Sequence, residues 1–185
     1  MIFNPARHEY SDNGIIIPSV TQILKAAGLI DDTWYSREAT ERGSAVHELC
    51  ERYAHGTRAD GLGRPLASLE YVNAFARWMD DTGAYAYMTE CMVDGLANGK
   101  RYAGRFDILA LINGKRVLVD IKTGGMAKWH PVQLAAYSLA RLDTGERVNP
   151  DRCAVLYLNA DGSYKEDRIT PAQMLKGIER FKECL

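Results

Sequence analysis

The stretch Val117–Gly124 reads VLVDIKTG, and its two charges decide how the rest of the chain is understood. The run is apolar and rich in β-branched residues, which is the pattern of a strand buried in a sheet. Successive side chains of an extended chain point to opposite faces. Asp120 and Lys122 therefore share a face with Leu118, and Val117, Val119 and Ile121 take the other. Two unpaired charges there would cost on the order of several kcal/mol each. An internal ion pair or a bound metal can offset that cost.

The segment before it sharpens the choice. Asn113–Gly114 is a strong two-residue hairpin signal between the predicted strands Arg101–Ile112 and Lys115–Lys122. Asp107 lies six residues before Asn113, and Asp120 lies six after Gly114. Such a turn sets the two aspartates opposite one another on one face, with Cβ atoms roughly 4.5–5.5 Å apart. Like charges so placed repel unless a divalent cation lies between them, and magnesium favours carboxylates with positions left for water. Lys122 is one step beyond Asp120 on that face, where an ammonium can orient a nucleophile and offset developing charge. A cross-strand ion pair without metal is the alternative reading of the same three charges.

Working outward, the 185-residue chain is expected to form a single domain. Its 46% hydrophobic and 25% charged residues are those of an ordinary globular protein. No apolar run approaches the ~20 residues that span a bilayer, and the polar start MIFNPARHEYSDNG lacks a signal-peptide core. No membrane partner is expected, and an intracellular, cytoplasmic location is. Cys50, Cys91, Cys153 and Cys184 are scattered without a CxxC pair, so reduced thiols are expected and no iron–sulfur cluster or zinc ribbon. The net charge of −1 argues against a uniformly basic DNA coat. Locally, residues 97–130 carry seven Lys or Arg against two Asp, which suits a polyanion approaching Asp107 and Asp120. Solvated hairpin lysines explain Lys115 and Arg116 equally well.

The predicted elements alternate. PSVTQILKAAGLI is a helix capped by Ser19 with Gln22 completing a capping box. A longer helix runs from Thr33 or Ser36 to Ala54, followed by a Gly-rich loop (HGTRADGLGRP) and a helix over Ser68–Asp81. Strands follow at Tyr85–Val93, Arg101–Ile112 and Lys115–Lys122. HPVQLAAYSLARLDTG reads as a helix with Pro131 in its first turn and Gly145 beyond its end. CAVLYLNADGSYKEDRIT is a hairpin turning at Asp161–Gly162, and TPAQMLKGIERFKECL a final helix capped by Thr170 and Gln173. The fold class is α+β with a central mixed sheet flanked by helices.

Two further constellations accompany the hairpin. In RGSAVHELCERY, His47 and Glu51 are spaced i, i+4 on one helix face; in QLAAY, Gln133 and Tyr137 share the same spacing on the helix after the strand. Each alone is an ordinary helical pair. In order, however, helical H…E, GRFD (Gly104–Asp107), DIK (Asp120–Lys122) and QLAAY resemble the RecB-like branch of the PD-(D/E)XK nucleases. The openings PSVTQIL and RGSAVHELCE are similar to phage-type exonucleases and to the mitochondrial genome maintenance type of exonuclease. The resemblance covers about Pro18 to Ser138.

This resemblance implies a restriction-endonuclease-like core, with His47, Asp107 and Asp120 and the carbonyl of Ile121 holding one or two Mg2+ or Mn2+ ions. Lys122 would help place the attacking water, and Gln133 and Tyr137 would touch DNA or orient the site. Glu51 can support the histidine or bind an arginine, and Glu90 can reach the metal from the preceding strand; each also reads as a structural or surface acid. Arg105, Lys128 and Trp129 can meet phosphates or a base, or be a surface charge and loop side chains. The implied activity is that of a metal-dependent DNA exonuclease acting on ends or single strands in phage-type recombination, replication or repair, in a bacterial or phage-infected cell. A strand-annealing or replication protein would be its partner. A structure-specific or nicking endonuclease, a non-catalytic DNA-binding module and a purely structural domain are the alternatives. An exonuclease is favoured over a restriction-type enzyme because no separate target-reading domain is discernible.

Overall fold

The computed structural model describes residues 1–4, 7, 9–31, 33, 36–56 and 66–185. Three short strands come first: β1 (Ile2–Asn4), β2 (Glu9–Asp12) and β3 (Ile15–Ile17). Helices α1 (Val20–Ala26), α2 (Arg37–Ala54) and α3 (Leu66–Thr82) follow, then β4 (Tyr85–Ala97), β5 (Lys100–Ile112) and β6 (Lys115–Lys122). The chain closes with α4 (His130–Leu139), β7 (Arg141–Leu142), β8 (Arg152–Leu158), β9 (Tyr164–Ile169) and α5 (Pro171–Cys184). The fold is α+β: a six-stranded mixed sheet in the order β7-β4-β5-β6-β8-β9, and a separate antiparallel sheet β1-β2-β3. Among the described residues no helix is long and apolar enough to cross a membrane.

Asn-Gly dipeptides set the hairpins. At Asn113–Gly114 both residues have positive φ, 50° and 71°, as a primed turn demands. The ladder then runs Ile112–Lys115 back to Ile108–Val119, which is the register expected from the turn. The same dipeptide recurs at Asn98–Gly99, joining β4 to β5, and at Asn13–Gly14, joining β2 to β3. These two turns correct the predicted elements. β4 extends to Ala97 rather than ending at Val93, β5 begins at Lys100, and the polar start, for which no element was predicted, carries a three-stranded sheet.

β6 and β8 are parallel neighbours, so the chain must cross over between them, and α4 makes that crossing. α4 is shorter than predicted: it ends at Leu139, and Gly145 lies in a turn after β7 instead of capping the helix. The capping boxes at Ser19–Gln22 and Thr170–Gln173 are both formed, and Ser36 caps α2. Of the Gly-rich loop, residues 57–65 lie outside the described residues.

Two cores sandwich the sheet. One joins α1, α4 and α5 through Leu24, Leu134, Tyr137 and Phe181 to Tyr102, Phe106, Leu109 and Leu118. The other joins α2 and α3 through Val46, Phe75 and Trp78 to Ile108, Val119 and Ile121. Phe106 and Leu109 share a core although they are three positions apart, so the alternation of β5 breaks between them, at Asp107. The small N-terminal sheet packs Tyr10 and Ile17 on Ala103 of β5, and the Ala103 N–H donates to Pro18 O.

Candidate metal and catalytic site

The backbone ladder opens where the acids sit. Pairing of β5 with β6 stops at Ile108–Val119, one step short of Asp107 and Asp120. Pairing of β4 with β5 runs through Thr89–Ile108 and Cys91–Phe106 and skips Glu90 and Asp107. Asp107 uses its side chain instead: Oδ2 accepts the Ile121 N–H at 2.6 Å, so a carboxylate takes the place of a ladder carbonyl. Glu90 stands in mid-strand with φ +49°, a left-handed backbone that a glutamate adopts only under constraint. Such strain costs about 1–3 kcal/mol and concentrates at functional sites.

Five elements, α2, β4, β5, β6 and α4, converge there. His47 of α2 places Nδ1 3.4 Å from Asp107 Oδ1 and 3.6 Å from Glu90 Oε1. Ligand atoms of His47, Glu90 and Asp107 all lie within 4.8 Å of one another, a group that could hold a metal ion. Asp120, only 2% exposed, is held by Lys122, whose Nζ is 2.7 Å from Asp120 Oδ2. That contact is an ion pair off the direction of a hydrogen bond. Oδ2 is buried and has no hydrogen-bond partner among the described residues. The Lys122 ammonium donates to Gln133 Oε1 at 3.0 Å, and Gln133 Nε2 donates to the Tyr137 hydroxyl at 3.1 Å. Tyr137 in turn lies on Gly104, where a Cβ would meet Tyr137 Cε1 at 2.5 Å. The glycine of GRFD therefore exists to admit the tyrosine of QLAAY. His47, Glu90, Asp107, Asp120, Lys122, Gln133 and Tyr137 line one cavity of about 180 Å3.

Charges set one another there. Burial alone would push the His47 imidazolium down, but the Asp107 and Glu90 carboxylates outweigh it and raise its pKa to about 10. Burial would raise Asp107, yet the His47 and Lys122 charges hold it below its usual value. Asp120 is raised to about 6, first by burial and then by the neighbouring Asp107 charge, against the pull of Lys122. The Asp120 carboxylate beside the His47–Glu90–Asp107 trio makes a donor set, three carboxylates and an imidazole, that suits a small divalent cation.

The sequence-predicted residues divide plainly. His47, Asp107, Asp120, Lys122, Gln133 and Tyr137 come together, and Glu90 stands in the metal-capable trio, which does not include Asp120. The Ile121 N–H fixes Asp107. Glu51 stays on the rim, accepting a long 3.5 Å bond from the Thr89 hydroxyl, with no bond to His47. Arg105 pairs with Glu90 Oε2 at 2.7 Å and lies over the Phe3 ring. Lys128 is exposed, and Trp129 takes the Lys122 ammonium over its ring at 5.2 Å from the centroid.

Two supporting residues were not anticipated from the sequence. His130, the first residue of α4, is buried and its Nδ1 lies 2.8 Å from the hydroxyl of Tyr157, the β8 neighbour of Lys122. A histidine directly before the helix-starting Pro131 was the available signal. Burial, then the Lys122 charge, lowers His130 from 6.5 to about 3. The unfolded chain takes up this proton below its own pKa while the folded chain does not. Stability is therefore lost as pH falls below about 6.5 toward 3. Relative to wild type, His130→Gln is expected to remove roughly 2–3 kcal/mol of the stability difference between about pH 7 and about pH 4.5, measured by urea denaturation.

Comparisons with known proteins add little. No family model and no curated protein matches the chain. Among solved structures, one described as "Crystal structure of SSO0001" is similar at 19% identity over 74% of this chain and 73% of that one, with a TM-score of 0.34.

Proposed function

We propose that the chain is a metal-dependent deoxyribonuclease of the PD-(D/E)XK type, hydrolysing phosphodiester bonds at DNA ends or in single strands. One observation carries the reading: a His47–Glu90–Asp107 trio beside a buried Asp120–Lys122 pair whose Oδ2 has no hydrogen-bond partner among the described residues. An internal ion pair needs Lys122 and one acid. It does not need a second buried aspartate, a histidine and a glutamate in left-handed backbone around it.

His47, Glu90, Asp107 and Asp120 would hold Mg2+ or Mn2+, which when bound lowers the pKa of a coordinated water and screens phosphate charge. His47 gives up its proton to serve as a ligand, so metal affinity rises with pH. Lys122 is held by Asp120 and Gln133, fixed to orient a water for in-line attack and to offset charge developing on the phosphate. Tyr137 keeps Gln133 in place. Arg105 and Lys128 supply positive charge for flanking phosphates.

End-labelled linear DNA and closed circles, each single- and double-stranded, are incubated with Mg2+, Mn2+ or EDTA. Loss of linear substrates alone, in the metal-containing reactions alone, is expected. Cutting of circles replaces exonuclease by endonuclease, and no cleavage of any substrate overturns the hydrolase.

A further inference from the structure

A second groove, of about 520 Å3, adjoins the acidic cavity. It lies between the first half of α2, including Thr40, Arg42 and Gly43, and the loop Thr123–Trp129 that joins β6 to α4. His47 and Lys122 line both spaces, so the groove and the cavity share a wall. Its lining is mostly apolar, with Met126 and the Trp129 indole on the loop side. Two cations line it, each already engaged within the protein: Lys122 lies over Trp129 and beside Asp120, and the Arg42 guanidinium lies over the Tyr71 ring. The Arg42 Nε is buried without a hydrogen-bond partner among the described residues. Trp129 is already fixed: its ring meets His130 edge-on with centroids 4.2 Å apart, and the Lys122 ammonium lies over it.

We propose that this groove is a base-binding subsite, taking one unpaired nucleobase of a DNA strand whose neighbouring phosphate lies at the acidic cavity. The proposal rests on the hydrolase reading above. The volume is in the range of small-ligand sites. The indole face that Lys122 does not cover can accept the π-face of any base, so the subsite is tolerant of sequence. Lys122, which lines both spaces, stands where it can meet the phosphate between that base and the acidic cavity. A base enters a concave groove only after leaving its stack, so single-stranded or frayed ends are favoured over closed duplex. The indole is pre-positioned, so little freedom is lost on binding.

The test compares binding of a short oligothymidylate with that of an abasic strand of equal length, both fluorescently labelled, in EDTA. Repulsion by the metal-free acids weakens both strands alike and leaves their ratio unchanged. Wild type is expected to favour the base-bearing strand by roughly 5- to 100-fold, the range for a stacked base. Trp129→Ala is expected to bring the ratio close to one. Gly125→Leu is the second variant: Gly125 lines the groove and a Cβ there meets nothing within 4 Å, so a bulky side chain is added to the groove wall without a clash at its Cβ. It is expected to have the same effect. A wild-type ratio near one, or retention of the wild-type ratio by either folded variant, overturns the subsite. Hydrolysis is not read in EDTA. A wild type that cleaves nothing in metal yet prefers the base-bearing strand loses the hydrolase reading and keeps the subsite.

Discussion

Asp120→Asn is expected to abolish metal-dependent hydrolysis, by at least about 10³-fold, while raising the melting temperature of the metal-free protein at about pH 8. The loss follows from removing a charge that the metal and Lys122 both need. The gain follows from burial: an ionised carboxylate that is 2% exposed and stands beside the Asp107 charge is destabilised more than Lys122 offsets. The sign with pH follows from its pKa, raised from 3.8 to about 6. Ionisation favours the unfolded chain, so stability from this group is present below about pH 4 and lost as pH rises toward 6. The advantage of Asn is therefore full above about pH 7 and absent in acid. Lys122→Met should be equally inactive but less stable, by about 3 kcal/mol, because Asp120 then stays buried beside Asp107 without its cation. Two inactive variants with opposite changes in melting temperature separate a functional charge from a structural one.

Gly104→Ala should be the most damaging single methyl in the chain's active region. Its Cβ would stand 2.5 Å from Tyr137 Cε1, and Tyr137 is buried against the sheet with little room to retreat. Overpacking of this kind costs about 1–3 kcal/mol. Moving Tyr137 also releases Gln133, and through it Lys122, so hydrolysis is expected to fall by about 10²-fold even in molecules that fold. Tyr137→Phe keeps the ring and removes one hydrogen bond, a loss of about 1 kcal/mol. Trimming Tyr137 to Leu in the Gly104→Ala background should restore part of the stability and little of the activity, because the two residues act through one contact. Denaturation midpoints and turnover on the four proteins check both halves.

Much of this arrangement was legible in the sequence, and the parts that were not have physical reasons. The Asn113–Gly114 turn fixes the register as far as Ile108–Val119; the expected Asp107–Asp120 pairing beyond it is not formed, and Asp107 reaches the shared cavity bound through its side chain to the Ile121 N–H. The helix over Gln133 and Tyr137 had to cross between parallel strands, which delivers both side chains to Lys122. The other two Asn-Gly dipeptides carried the same signal, for the N-terminal sheet and for the full length of β4; in the N-terminal sheet, short strands with exposed isoleucines gave no alternating face. Glu90 was harder to see. Its place in the trio depends on left-handed backbone inside a strand, and no residue periodicity encodes that. Glu51 shows the reverse: correct helical spacing from His47, but a partner in Thr89.

The reading turns on whether the buried charges await a cation. Titration of Mn2+ into the metal-free protein, followed by electron paramagnetic resonance, measures this directly. Saturable binding of one or two ions is expected in wild type, weakened at least about 10-fold in both Asp107→Asn and Asp120→Asn. Wild type that shows no saturable binding, or Asp variants that bind as wild type does, would mean that the charges on β6 are an internal ion pair and that no metal-dependent nuclease is built around them.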